Sequence, residues 1–107
     1  MQPAATVVLI DGSAALLELG EQVLRDSGHR VLVTSDPLEA LALTHTLRVD
    51  LVIADAAGLE PFRQQPHAPQ LLEIGAAGES ARSTALRRPF SLTQLQDAVA
   101  LALGIGE

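Results

Sequence analysis

The chain contains two uninterrupted apolar runs, Val7–Ile10 and Leu51–Ala54, and each is followed directly by an aspartate. Apolar residues without alternation are typical of a strand that is covered on both faces, as in the interior of a parallel sheet. We therefore predict buried strands at Thr6–Ile10 and Leu51–Ala54. Further short strands are predicted at Arg30–Thr34, at Leu71–Ile74, which Glu73 weakens, and at Thr84–Arg87.

Helix signals follow the first two strands. Ser13 is placed to cap a helix that runs to about Asp26, and Gly28 is placed to end it in a left-handed conformation. Asp36 precedes a proline at the first helical position, which predicts a second helix from Pro37 to about Leu47. These helices connect consecutive strands.

The second half of the chain keeps the same rhythm with shorter helices. Three prolines after the central strand leave room only for a short helix around Leu59–Gln65. The small residues of Gly75–Ser83 offer little surface with which a helix could pack. Ser91 and Gln94 form a capping box that predicts a last helix ending before Gly104.

Alternating strands and helices predict an α/β fold with right-handed crossovers. We expect a three-layer α/β/α sandwich around a five-stranded parallel sheet, with the third and fourth helices shortened or missing. A chain of 107 residues is long enough for one hydrophobic core, so residues 1–107 are predicted to form a single domain.

Composition narrows the classes of function. The formal net charge is −6 without a run of like charges, which argues against nucleic acid and acidic membranes as partners. The chain has no cysteine, which excludes disulfides and thiolate chemistry. Because no apolar run approaches membrane-spanning length and no charged leader is visible, we expect a cytoplasmic protein. The histidines lack metal-ligand spacing and are predicted to be surface residues; they are His29, His45 and His67.

Three short motifs, taken in order, resemble those of the receiver domain of bacterial response regulators. They are Val8-Leu9-Ile10-Asp11, Asp50-Leu51-Val52-Ile53-Ala54-Asp55 and Arg88-Pro89-Phe90. Together they extend over nearly the whole chain. The resemblance implies a flavodoxin-like fold with strand order 2-1-3-4-5 and a role in two-component signalling.

The resemblance also implies a phosphoryl-accepting site at the carboxyl edge of the sheet. Asp55 matches the nucleophile, and Asp11 matches the first of two acidic residues that help to hold Mg²⁺. Gly12 stands where the second acid belongs, Gly75 where a hydroxyl belongs and Arg88 where a lysine belongs. All seven basic residues are arginine, so no neighbouring lysine can replace the missing one.

These departures predict a degenerate receiver. Gly12 removes negative charge where Mg²⁺ needs it, and Gly75 offers no hydroxyl to a phosphoryl oxygen. The planar guanidinium of Arg88 does not replace a compact ammonium. We therefore expect weak Mg²⁺ binding at Asp11 and Asp55, impaired or lost phosphorylation and no enzymatic activity. The expected function is binding to another protein.

Alternatives remain for the site and for the partner. Without the resemblance, Asp55 is interpreted as a cap of the loop after its strand, and Asp11 as a turn residue. A working phospho-accepting receiver and a small-molecule-binding module are the alternative functions. The resemblance implies a histidine kinase, a phosphotransfer protein or an effector domain as partner. A homodimer through apolar surface left uncovered within Leu71–Phe90 is also considered.

Overall fold

The computed structural model describes residues 5–66, 69–75, 86–87 and 90–104, and strands and helices alternate through these ranges. The strands are β1 (Thr6–Ile10), β2 (Arg30–Thr34), β3 (Leu51–Ala54), β4 (Gln70–Gly75) and β5 (Leu86–Arg87). The helices are α1 (Ala14–Asp26), α2 (Pro37–Leu43), α3 (Ala56–Arg63) and α4 (Leu92–Leu103). No helix within the described ranges is both long and apolar enough to span a bilayer.

The strands form a parallel sheet in the order β2-β1-β3-β4-β5. The first four are joined by continuous ladders, which confirms the predicted parallel α/β fold. The described part of β5 is a two-residue extension, which pairs with the end of β4 through Ile74–Leu86 and Gly75–Arg87. The first half of the predicted strand Thr84–Arg87 lies outside the described residues.

The central strands are apolar on both sides because the sheet lies between two helix layers. One face packs against α1 and α4; its fully buried side chains include Val7, Leu9, Leu51, Ile53, Leu24, Leu95 and Val99. The other face packs against α2 and α3 and includes Val8, Ile10, Val52, Ala54, Ala40, Leu59 and Phe62. Successive residues of β1 and β3 thus enter different layers.

The predicted helix caps are confirmed. The side chain of Ser13 accepts the N–H of Leu16, and Gly28 has a φ of 95° after the end of α1. The side chain of Asp36 accepts a backbone N–H at the start of α2. Ser91 forms both bonds of its capping box, and Gly104 ends α4 in the left-handed conformation.

The second helix ends earlier than predicted. α2 stops at Leu43, and Thr44 and Thr46 follow in a turn. The hydroxyl of Thr44 donates to the carbonyl of Leu41 at 2.6 Å, and the hydroxyl of Thr46 donates to Leu43 at 3.2 Å. These side chains offer the backbone alternative hydrogen bonds, which weakens helical continuation towards Leu47.

The third helix begins earlier than predicted. α3 starts at Ala56, three residues before the expected start at Leu59, and ends at Arg63. The stretch Ala56-Ala57-Gly58 has no apolar periodicity, so pattern alone gave no reason to include it. The helix between β4 and β5, predicted to be shortened or missing, would fall in residues 76–85, which lie outside the described residues.

The prediction of an uncovered apolar surface within Leu71–Phe90 is wrong for the part of that segment that the structure describes. Leu72 and Ile74 are 1% exposed and Leu86 is 9% exposed, because α4 packs over them. Leu71 and Phe90 are half-buried against the two cores. The large apolar side chains that are exposed in the described ranges are Leu19, Leu38, Leu47, Leu92 and Leu101.

Candidate functional site

The strand register brings Asp11 and Asp55 to the same level of the sheet. β1 and β3 are parallel neighbours in which Leu9 pairs with Ile53. Asp11 lies two residues after Leu9, and Asp55 lies two residues after Ile53. Both aspartates therefore lie at the carboxyl edge, where parallel α/β sheets place their ligands.

Asp11 is part of the turn that joins β1 to α1. Its Oδ2 accepts the backbone N–H of Ser13 at 2.9 Å, and its own N–H donates to the carbonyl of Thr34 at 3.2 Å. This geometry is that of an aspartate-stabilised turn. Asp11 thus fulfils the turn interpretation, and its role as a metal-binding acid stays a prediction.

The backbone conformation at residue 12 does not require a glycine. A Cβ built at this position would meet no atom within 4 Å, and the residue is exposed. Its φ is outside the left-handed range, which among the described glycines is found at Gly28 and Gly104. A carboxylate could therefore stand at residue 12 without strain. That Gly12 replaces a second metal-binding acid stays a prediction, and the fold does not force this replacement.

Asp55 is the N-cap of α3. Its Oδ1 accepts the backbone N–H of Gly58 at 2.8 Å, and its φ and ψ of −74° and 176° are extended, as the cap position requires. The backbone carbonyl of Asp55 accepts the N–H of Leu59 at 3.0 Å. The capping interpretation is therefore confirmed, and one carboxylate oxygen is hydrogen-bonded to the first turn of α3.

Gly58 allows this cap to form close to the sheet. A Cβ at residue 58 would lie 2.9 Å from the Cβ of Ala54 and 3.3 Å from Oδ1 of Asp55. A third neighbour would be Ile10, at 3.9 Å. A side chain at Gly58 would thus push α3 away from the ends of β1 and β3. Sequence reasoning missed this residue, although a glycine three positions after an aspartate was a usable signal.

The register shows which residue of β4 is level with Asp55, whereas the assignment of Gly75 to the hydroxyl position stays a prediction. Ala54 pairs with Glu73 across β3 and β4, so the next residue, Ile74, is level with Asp55. Gly75 lies one residue further, at the end of β4. Ile74 is apolar and only 1% exposed. Neither residue provides a hydroxyl beside Asp55.

The remaining predicted contact, Arg88, lies outside the described residues. In the ranges that are described, no three His, Cys, Asp or Glu side chains are grouped so that they could hold a metal ion. Mg²⁺ usually takes one or two carboxylates together with waters and phosphate oxygens. Asp11 and Asp55 meet that minimum, but each also accepts a backbone hydrogen bond. This donor set fits weak Mg²⁺ binding only.

The histidines do not add to the site. His45 is exposed, as predicted, and His67 lies outside the described residues. His29 follows α1 at the edge of the sheet opposite to Asp11 and Asp55. Its backbone N–H donates to the carbonyl of Leu24 at 3.2 Å. It is half-buried, and its Nδ1 has no hydrogen-bond partner within the described structure. His29 is therefore less exposed than the surface position that was predicted for it.

No protein-family model and no curated protein sequence matches this chain. Solved structures do match it. A putative response regulator from Chloroflexus aurantiacus J-10-fl is similar with a TM-score of 0.82 and 23% identity, over 95% of this chain and 99% of the other. The chemotaxis response regulator CheY4 of Vibrio cholerae gives 0.79 and 22%, over 94% and 100%.

A third similar structure belongs to a longer protein. NtrX from Brucella abortus, solved in complex with ADP, has a TM-score of 0.79 and 23% identity. The match covers 95% of this chain and 26% of the NtrX chain. The strand order, the two helix layers and these similarities agree. This chain has the fold of response-regulator receiver domains.

Proposed function

We propose that this chain is a receiver-like domain of two-component signalling that acts by binding another protein, with phosphorylation of Asp55 impaired or lost. The partner is a histidine kinase, a phosphotransfer protein or an effector domain, which the domain meets in the cytoplasm. The fold supports the signalling class. The net charge of −6 favours a protein partner over nucleic acid or an acidic membrane.

The observation that carries the proposal is the hydrogen bond from Gly58 N–H to Oδ1 of Asp55. A carboxylate attacks phosphorus with a lone pair, and donation from an N–H at the positive end of a helix withdraws electron density from it. Because α3 begins at Ala56, the carbonyls that follow Asp55 point along the helix. They are not available as metal ligands at the edge.

Within the described residues, residue 12 and the end of β4 add no second acid and no hydroxyl that would hold a phosphoryl group. Residue 12 adds no carboxylate for a metal ion, and the residue beside Asp55 on β4 is Ile74. An aspartyl phosphate needs charge-assisted contacts to its oxygens in order to form and persist. Asp55 therefore keeps the position of an acceptor while its neighbours serve the fold.

The test is phosphorylation by a small-molecule donor. Wild-type protein is incubated with acetyl phosphate and Mg²⁺, and its intact mass is measured. Attack by Asp55 would form an O–P bond and release acetate, adding one phosphoryl group to the mass. We expect no stable adduct. A substantial adduct that disappears in Asp55→Asn would establish the alternative, a working phospho-accepting receiver.

Gly12→Asp supplies the matched gain-of-function arm, because residue 12 has open space and an ordinary φ. Gly12→Asn has the same size without the charge and serves as the control. We expect at least a severalfold gain in Mg²⁺ affinity for Gly12→Asp, since Mg²⁺ favours carboxylate ligands. Equal affinities in both variants would show that the fold, and not the missing acid, limits metal binding.

A further inference from the structure

Among the described strands, β2 is the outermost of the sheet and has β1 on one side only. The N–H of Arg30 donates to the carbonyl of Ala5 at 2.8 Å, and the carbonyl of Thr34 accepts the N–H of Asp11 at 3.2 Å. Backbone groups of a strand alternate between its two sides. Val31 and Val33 therefore direct their N–H and C=O groups to the open edge.

The side chain of Arg25 covers one of these edge groups. Its Nη2 donates to the carbonyl oxygen of Val31 at 3.4 Å. The same nitrogen lies 2.8 Å from Oε2 of Glu21, one turn earlier on α1. Glu21 thus holds the guanidinium in a position from which it reaches over the edge of the sheet. Charged side chains at an edge are a known means of preventing strand addition.

The open edge is complementary to itself. If two copies of β2 meet antiparallel around a two-fold axis at Leu32, Val31 of each copy faces Val33 of the other. Residues with edge-directed groups on both strands exchange both of their N–H···O bonds in such a pair. Each pair uses the carbonyl of Val31, which is the group that Arg25 occupies. The strand Arg30–Thr34 has no proline or glycine to prevent pairing.

We propose that Arg25 guards the edge of β2 and prevents it from pairing with a second copy of this chain. Pairing requires Arg25 of both copies to leave Val31. The second copy is the occupant that the edge fits best, because its own Val31 and Val33 provide the matching groups. The proposal concerns the edge opposite β5 and does not depend on phosphorylation of Asp55.

A single introduced cysteine tests the proposal, since the natural chain has none. In the paired strands Leu32 faces Leu32 of the second copy, with Cα atoms about 4.5–5.5 Å apart, a distance that a disulfide can bridge. Leu32→Cys is therefore combined with Arg25→Ala, and disulfide-linked dimer is measured after mild oxidation. Association through any other surface leaves this probe unlinked.

We expect Arg25→Ala to raise the linked fraction roughly tenfold over Leu32→Cys alone, because each dimer no longer has to displace the Arg25 hydrogen bonds. The matched control is Arg30→Ala. This variant removes an exposed cation of β2 and leaves the Val31 carbonyl covered by Arg25. The control should stay at the parent level. Sedimentation of cysteine-free Arg25→Ala should show the same dimer.

Two results would overturn the proposal. One is an unchanged linked fraction in folded Arg25→Ala, with folding checked by circular dichroism. The other is an equal rise in Arg30→Ala, which would indicate a general effect of charge. If Arg25→Ala does not fold, Glu21→Gln releases Arg25 from its ion pair without deleting it. A smaller rise is then expected, and no rise would also refute the proposal.

Discussion

At the scale of single residues, Asp55 combines a place at the carboxyl edge of the sheet with the cap of a helix. Its carboxylate lies at the end of a central strand, level with Asp11, and caps α3 through Gly58. Sequence reasoning could predict both its place at the sheet edge and its capping ability. It could not decide whether the carboxylate caps a helix. That depends on where α3 begins, and Ala56-Ala57-Gly58 carries no apolar pattern.

Substitutions of Asp55 should separate the cap from the acceptor chemistry. Asp55→Ala removes the oxygen that accepts Gly58 N–H and should lower the free energy of unfolding by about 1 kcal/mol. Asp55→Asn keeps an acceptor at the cap and should lie within about 0.5 kcal/mol of wild type, as asparagine is a favourable N-cap. Urea unfolding measures both. Equal losses in the two variants would contradict the capping role.

At the scale of elements, short polar signals predicted helix ends more accurately than apolar periodicity did. The caps at Ser13, Asp36 and Ser91 were predicted because a hydroxyl or carboxylate next to a helical pattern has few other local uses. The early end of α2 was missed because threonines occur in helices and in turns. Their hydroxyl bonds to Leu41 and Leu43 decide the matter only in three dimensions.

The capping box of α4 is expected to contribute measurably to stability. Ser91 accepts the N–H of Gln94 at 3.1 Å, and the side chain of Gln94 accepts the N–H of Ser91 at 2.8 Å. Ser91→Ala should lower the free energy of unfolding by about 1 kcal/mol. Thr93→Ala, at an exposed position in the same turn, is the control and should change it little. Thermal unfolding that shifts equally in both would exclude a specific effect of the cap.

At the scale of the whole molecule, the fold followed from the sequence because buried parallel strands have a strong signature. Both apolar runs lie in the sheet as expected, between the two helix layers. The site was predicted less completely, since the sequence places Gly75 at the end of β4 but does not reveal that Ile74 is the residue level with Asp55. Register depends on the pairing of distant strands, and a single motif in β4 does not determine it.

Asp50 joins the starts of three strands and should be important for the sheet as a whole. Its Oδ2 accepts the N–H of Thr6 at 2.8 Å, and its backbone bonds to Thr6 and Gln70. Asp50→Ala leaves the Thr6 N–H without its acceptor and should lower the free energy of unfolding by roughly 1–2 kcal/mol. Asp50→Asn keeps an acceptor and should cost less. A chemical-denaturation series in which alanine costs no more than asparagine would contradict this role.

The immediate start of α3 after Asp55 has a consequence for how information could pass through this domain. In this structure the segment that follows Asp55 is a capped helix packed on the sheet, and a switch would require this helix to shift or to lose its cap. Under the proposed function, the quantity that varies would then be the amount of this domain and not its conformation. The output follows the domain's concentration relative to the dissociation constant of its complex. The cell would then control this output through the rates at which the protein is synthesised and degraded.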